Sequence, residues 1–198
     1  MWPNAHLKQF WTATLFIAGT FYPFVVYFGL QYIPAQTWAV LALCITIGRF
    51  LGMRRLKSML PLLAALLASA ALQALSLFWQ ADLAMLLYPT LMGLSFTLAF
   101  FYTLFSPPSM VERFATLRQP VPAEAQSYLY KVTLVWVCFL LLNTLASAGT
   151  VYDALHSDLQ LWTLYNGLIS YLLMGLLFVG EWLLRPYWKR HHDSTALL

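Results

Sequence analysis

Charge is what this chain has least of. Asp, Glu, Lys and Arg make up 9% of its 198 residues, where a soluble domain carries about a quarter. So few charges, together with long apolar runs, exclude an ordinary soluble domain and point to a polytopic membrane protein. Cysteine is also scarce. Cys44 and Cys138 each lie inside an apolar run with no partner at metal-ligand spacing, and both read as small buried apolar side chains. Enzyme signatures are missing: there is no glycine-rich phosphate loop, no nucleophile elbow and no paired-histidine zinc helix. The acid–base candidates are limited to Glu112, Glu124, Glu181 and His156, so no catalytic residue, metal or cofactor is expected. The first apolar run opens with Trp11 and no small-residue cleavage site follows it. It reads as a retained span and not as a signal peptide. Residues 1–198 are read as a single transmembrane domain, without a second domain or an internal repeat.

What is present is apolar. Hydrophobic residues make up 61% and aromatic residues 17%, and Trp and Tyr favour membrane interfaces. The net charge of +4 does not imply nucleic acid, because the basic residues flank apolar runs and form no continuous groove. A spanning helix needs about 20 mostly apolar residues. Six stretches qualify, giving an all-α bundle with spans at about 11–30, 35–51, 59–79, 83–105, 130–150 and 161–184. With the N-terminus cytoplasmic, the inner segments hold Lys8, Arg49, Arg54, Arg55, Lys57, Arg113, Arg118, Lys131, Arg185, Lys189 and Arg190, which are all 11 basic residues of the chain. The outer turns hold only Asp82, Asp153 and Asp158. This asymmetry puts both termini in the cytoplasm and favours an even number of spans. Five spans, with the first segment half-inserted, is the competing arrangement.

The longest connection, 106–126, lies on the inner side. Pro107 and Pro108 end the fourth span. Met110, Val111, Phe114 and Leu117 then recur at helical spacing, as expected of a short amphipathic helix on the membrane surface. Pro23 and Pro89 fall within spans and should kink them. The third span carries small-residue pairs: Ala64 with Ala68, Ala65 with Ser69, and Ala70 with Ala74. Such faces let helices pack closely, within the chain or between two copies of it. Gln73 follows Ser69 on one face and is expected to hydrogen-bond between helices.

Two uncharged polar faces offer the best candidate site. Asn143, Ser147 and Thr150 share a face of the fifth span, and Asn166 and Ser170 share a face of the sixth. The helices are antiparallel neighbours. Counted back from their joining turn at 1.5 Å per residue, Asn143 lies level with Asn166 and Ser170. These residues either fasten the helices together or form the floor of a polar cavity that binds substrate or lipid. Asp153, His156 and Asp158 share the joining loop, without a further ligand for a metal. The remaining carboxylate, Glu181, lies between Trp162 and Trp182, residues expected to mark the two ends of about 30 Å of helix. It should sit at the inner interface, paired with Arg185 four residues on.

Several stretches carry a resemblance to known proteins. "FYPFVVYFGLQYIPAQTWAVLAL", "GRFLGMRRLK", "YKVTLVWVCFLLLNTLAS" and "LQLWTLYNGLISYLLM" resemble the small bacterial inner-membrane proteins called intracellular septation protein A. "VERFATL" and "YNGLISYLLMGLLFVGEWLLR" are similar to an uncharacterised bacterial membrane family associated with aryl-polyene and related fatty-acid-like envelope pathways. The longer Pro-rich inner loop and the "GEW" ending depart from the septation proteins. The resemblance implies a bacterial inner-membrane protein of the cell envelope with no established catalytic residues, working with membrane lipids or other envelope proteins. The leading expectation is a non-enzymatic protein that assists envelope or lipid-linked assembly through membrane partners, with a homodimer as one arrangement that the spans allow. The second is a transporter or flippase for a lipid-like intermediate. The third, a lipid-modifying enzyme, requires Glu181, Glu112 or His156 to converge with other polar groups.

Overall fold

A chain with few charges and no water around it must satisfy its backbone N–H and C=O groups internally, and the helix does this within each segment. The computed structural model describes residues 28–29, 32–53, 59–79, 81–117 and 120–193, and among them every regular element is helical. The expected first span and Pro23 lie almost wholly outside the described residues. Helix α1 spans Ala35–Met53, α2 Leu60–Trp79, α3 Ala81–Phe105, α4 Met110–Thr116 and α5 Ala123–His156. Gln160–Leu164 (α6), a π-helical turn at Tyr165–Ile169, and Ser170–Asp193 (α7) then follow without a break. Four stretches, Gln36–Met53, Asp82–Phe105, Ala123–His156 and Gln160–Arg185, are long and apolar enough to cross a membrane, which points to a membrane protein.

The distribution of side chains agrees. The buried polar residues among those described are Thr, Ser, Gln and Asn, and none is charged. Large apolar side chains such as Leu142, Leu176 and Phe178 lie exposed on the outside. This arrangement would be costly in water and is natural in lipid, where helices are held together by packing and hydrogen bonds. Cys44 and Cys138, expected to be buried, are both exposed. Each falls on the outward stripe of its helix, where a thiol behaves as a small apolar group against lipid.

Helices α1, α2 and α3 form one packed unit. Gln73 of α2 donates to Ser69 at 3.0 Å and to Thr46 of α1 at 3.1 Å, and Thr46 in turn donates to the carbonyl of Ala42 at 3.0 Å. Ser95 of α3 reaches the carbonyl of Ala65 at 3.0 Å, an approach that the small Ala65 side chain allows. Ala64 and Ala68, expected on a packing face, are instead exposed in the folded chain, while Ser69 and Gln73 are buried. One residue rotates the helix by about 100°, so the inward stripe holds Ala65 and Ser69 and the outward stripe holds Ala64 and Ala68.

Pro120 and Pro122 precede α5, whose first turn carries Glu124 at the positive end of the helix dipole. Its 34 residues give about 51 Å of helix, well beyond one hydrocarbon thickness, so the expected 130–150 is only its middle. Helix α4 keeps the expected amphipathic residues but uses them differently. Met110 is fully buried, Val111 donates its N–H to Thr133 of α5 at 3.2 Å, and only Phe114 and Leu117 stay exposed. The apolar face is therefore turned largely onto the bundle. Arg113 fastens the approach to α4 by donating to the carbonyls of Pro108 at 2.7 Å and Ser106 at 2.9 Å.

Candidate functional site

The expected alignment of α5 with the last helix is present. Ser147 donates to the Asn166 side-chain carbonyl at 2.7 Å, and Asn143 donates to Ser170 at 2.9 Å. These are two rungs, one helical turn apart on each helix. Asn166 also donates to Thr150 at 3.0 Å and to the carbonyl of Trp162 at 3.0 Å. Both oxygen and nitrogen of this buried amide are thus engaged, as buried polar groups must be. Its hold on the Trp162 carbonyl, one turn back, inserts a side chain into the backbone ladder, a recognised cause of local widening. The π-helical turn Tyr165–Ile169 lies at this place. Four α-helical residues overshoot a full turn by about 40°, and the wider turn absorbs that drift, so Trp162, Asn166 and Ser170 all face the bundle.

Helix α3 supplies a third side. Since the Ser147 proton goes to Asn166, Thr90 is the donor in its 2.8 Å contact with Ser147. Thr97 gives its proton to the Gly93 carbonyl at 2.8 Å, so Thr144 is the donor in their 3.3 Å contact. Gly93 makes this crossing possible: a Cβ there would stand 2.7 Å from the Thr144 hydroxyl oxygen. Trp162 is fully buried, and its indole N–H bonds the Leu86 carbonyl at 3.1 Å, close to Pro89, which lacks an N–H of its own. Trp162 is therefore a core anchor between α6 and α3 and not the interface marker expected from its position, whereas Trp182 is exposed.

Beside this polar seam lies a partly open cavity of about 520 Å³, a size usual for small-molecule sites. Asn143, Ser147, Asn166 and Ser170 line one part of it. Leu66, Phe96, Phe100, Trp136 and Met174 supply an apolar wall, and Arg49, Gly48 and Gly52 of α1 another side. Tyr165 donates to the Asn143 side-chain carbonyl at 3.0 Å, which leaves the Asn143 amide fixed from both ends. Arg49, Gly93, Thr90, Thr144 and Tyr165 were not singled out as site residues from sequence. By sequence Arg49 groups with Arg54, Arg55 and Lys57 as a flanking charge, whereas in the structure it lies four residues before the end of α1.

The remaining polar candidates lie elsewhere. Glu181 accepts three hydrogen bonds from Arg185, two at 2.9 Å from one terminal nitrogen and one at 3.1 Å from Nε, and a fourth at 3.1 Å from the Tyr128 hydroxyl of α5. Glu181 is thus a tie between α5 and α7 as well as part of an intrahelical pair. The Arg185 side chain is 48% exposed and that of Glu181 9%, so water screens the pair from the Arg185 side only, and Glu181→Gln, which keeps an acceptor for Tyr128, is expected to lower stability by about 1 kcal/mol. Thermal unfolding in detergent measures this, and a loss of several kcal/mol would show a much more buried charge. In the α5–α6 turn, Asp158 accepts from the Gln160 N–H at 2.8 Å, and His156 contacts the Tyr152 carbonyl at 2.7 Å. No group of three or more His, Cys, Asp or Glu among the described residues is placed to hold a metal. Glu112 accepts from the Ser109 N–H at 3.3 Å at the start of α4. Glu181, Glu112 and His156 do not line the cavity.

No protein-family model, curated protein or solved structure matches this chain. The resemblance to the septation and envelope families accordingly rests on residue patterns alone.

Proposed function

We propose that the protein holds an elongated, lipid-like molecule in the cavity between α1, α3, α5 and the α6–α7 helix, and moves it within or across the membrane as a carrier. The observation that carries this reading is the cavity itself, apolar along most of its wall and ending on the amide and hydroxyl groups of Asn143 and Ser170. A hydrocarbon chain matches the apolar wall, and a few fixed polar groups orient one end of it. An assembly factor acting only through membrane partners has no need of such a space.

A filling substitution tests the reading. A Cβ at Gly52, on the cavity lining, would meet no atom within 4 Å, so a side chain can start there without a clash, and Gly52→Phe is the filling variant. The expected result is at least a tenfold loss of affinity for dodecanol and dodecyl phosphate, measured by titration of the protein in nanodiscs, with unfolding unchanged. Unaltered affinity for both would overturn it.

The topology belongs to the same proposal. Six spans with both termini cytoplasmic, in a bacterial inner membrane, follow from the one-sided distribution of Lys and Arg and from the family resemblance. In a Cys44→Ser, Cys138→Ser background, Ser157→Cys should react with an impermeant maleimide added to spheroplasts. Glu124→Cys should react only after permeabilisation. Labelling from the same side, or in the reverse order, would refute this orientation.

A further inference from the structure

We propose that the cavity takes an amphiphile with an anionic head, phosphate or carboxylate, and that Arg49 binds that head. This rests on the reading of the cavity as a lipid-like site and names the chemistry of its ligand.

Arg49 is the one charged residue among the described residues that line the cavity, and no carboxylate stands in that wall. It belongs to the body of α1, not to a loop. An arginine inside a membrane helix is costly, and it persists chiefly where it faces an interior path or partner. Its neighbours make room. Gly48 and Gly52, one residue before it and three after, both line the cavity without side chains. Two tyrosines from other helices border the same space, Tyr88 of α3 and Tyr171 of α7.

The chemistry follows from this set. A guanidinium stays charged at any physiological pH and presents five donors in a planar fork that fits a phosphate or carboxylate edge. The low-dielectric wall strengthens attraction between the guanidinium and an anion that leaves water to reach it. A neutral head gains no such attraction, and a cationic head is repelled by the guanidinium. The hydrocarbon tail then runs along the apolar wall formed by Met92, Phe96, Phe100 and Trp136.

The test compares dodecyl phosphate, dodecanoate and neutral dodecanol as probes of the unaltered protein, Arg49→Gln, Arg49→Lys and Gly52→Phe, all in nanodiscs of neutral phosphatidylcholine. In the unaltered protein at least one anionic probe should bind about tenfold or more tighter than dodecanol, the scale of one charged hydrogen bond. Arg49→Gln should reduce that preference to about twofold while dodecanol binding is kept, and Arg49→Lys should retain most of it. A larger preference for dodecyl phosphate assigns a phospholipid-type head, and a larger preference for dodecanoate a fatty-acid head. Either supports the inference. Equal affinity for anionic and neutral probes in the unaltered protein overturns it, whether or not the variants fold, and so does a preference that survives Arg49→Gln. Those results leave the cavity reading standing, because that reading fails only if Gly52→Phe binds all three probes as the unaltered protein does.

Discussion

Asn166→Leu is expected to destabilise the folded protein by about 2 to 4 kcal/mol, whereas Asn143→Leu should cost about 1 kcal/mol. The two residues occupy the same seam but carry different loads. The buried Asn166 amide joins Ser147, Thr150 and the Trp162 carbonyl. In membrane proteins each such bond is worth about 0.6 kcal/mol on average and up to about 1.7. Leucine also strands the Ser147 hydroxyl and removes the side chain that competes for the Trp162 carbonyl in the π-helical turn, so the effect should exceed a single bond. Asn143 has two partners, Ser170 and Tyr165, and lines the cavity, where water or ligand can replace them. Thermal unfolding in mild detergent separates the two variants. Equal and small shifts would show that Asn166 is not a structural centre. By their spacing alone the two asparagines are equivalent, as helix fasteners or as the floor of a cavity. The geometry assigns stability chiefly to Asn166 and leaves Asn143 as the residue whose loss should impair ligand handling in a protein that still folds.

Gly93→Ala should destabilise by about 1 to 3 kcal/mol, and Thr144→Ala in the same chain should recover most of that loss. Alanine in a helix is intrinsically favoured over glycine by roughly 0.5 to 1 kcal/mol, so a loss on Gly93→Ala requires a steric cost that outweighs the gain. That cost is visible. The new Cβ would stand 2.7 Å from the Thr144 hydroxyl oxygen, and Thr144 Cβ is 3.6 Å away. The hydroxyl belongs to a β-branched side chain with few rotamers, and it also holds Thr97, so it cannot simply swing aside. Overpacking of this kind costs about 1 to 3 kcal/mol. Thr144→Ala removes the obstructing oxygen and leaves a 3.6 Å carbon contact, which is ordinary packing. The four proteins form a double-mutant cycle whose coupling term should be favourable and larger than about 1 kcal/mol. Additive effects would show that α3 and α5 do not cross at Gly93.

Much of the helical arrangement is legible in the residues. The apolar runs mark the helices, because only a helix closes its own hydrogen bonds without water. The expected 35–51, 59–79 and 83–105 agree with Ala35–Met53, Leu60–Trp79 and Ala81–Phe105 to within two residues, and the expected start at 161 agrees with Gln160. The register of Asn143 and Ser147 on Ser170 and Asn166 is also legible, because two antiparallel helices joined by a short turn have one rise per residue and little freedom to slide. Glu181 and Arg185 are neighbours by helical periodicity alone. The Tyr128 contact is not, because it depends on how far α5 extends below its apolar middle.

What the sequence by itself determined is local: where helices form, which faces are polar, and which residues lie level on the two helices of a hairpin. These follow from the period and rise of the helix, which every residue shares. The tertiary structure decided everything that depends on rotation and approach between helices distant in the chain. Trp162 could sit in lipid or in the core until α3 offered the Leu86 carbonyl. Ala64 and Ala65 are equivalent in composition, yet about 100° of rotation sets one outward and the other against Ser95. Arg49 looks like another flanking cation until α1, α3, α5 and α7 enclose a space and its position within α1 places it on the wall. Such a cavity is a property of the gaps between elements, and no periodicity within one element encodes it.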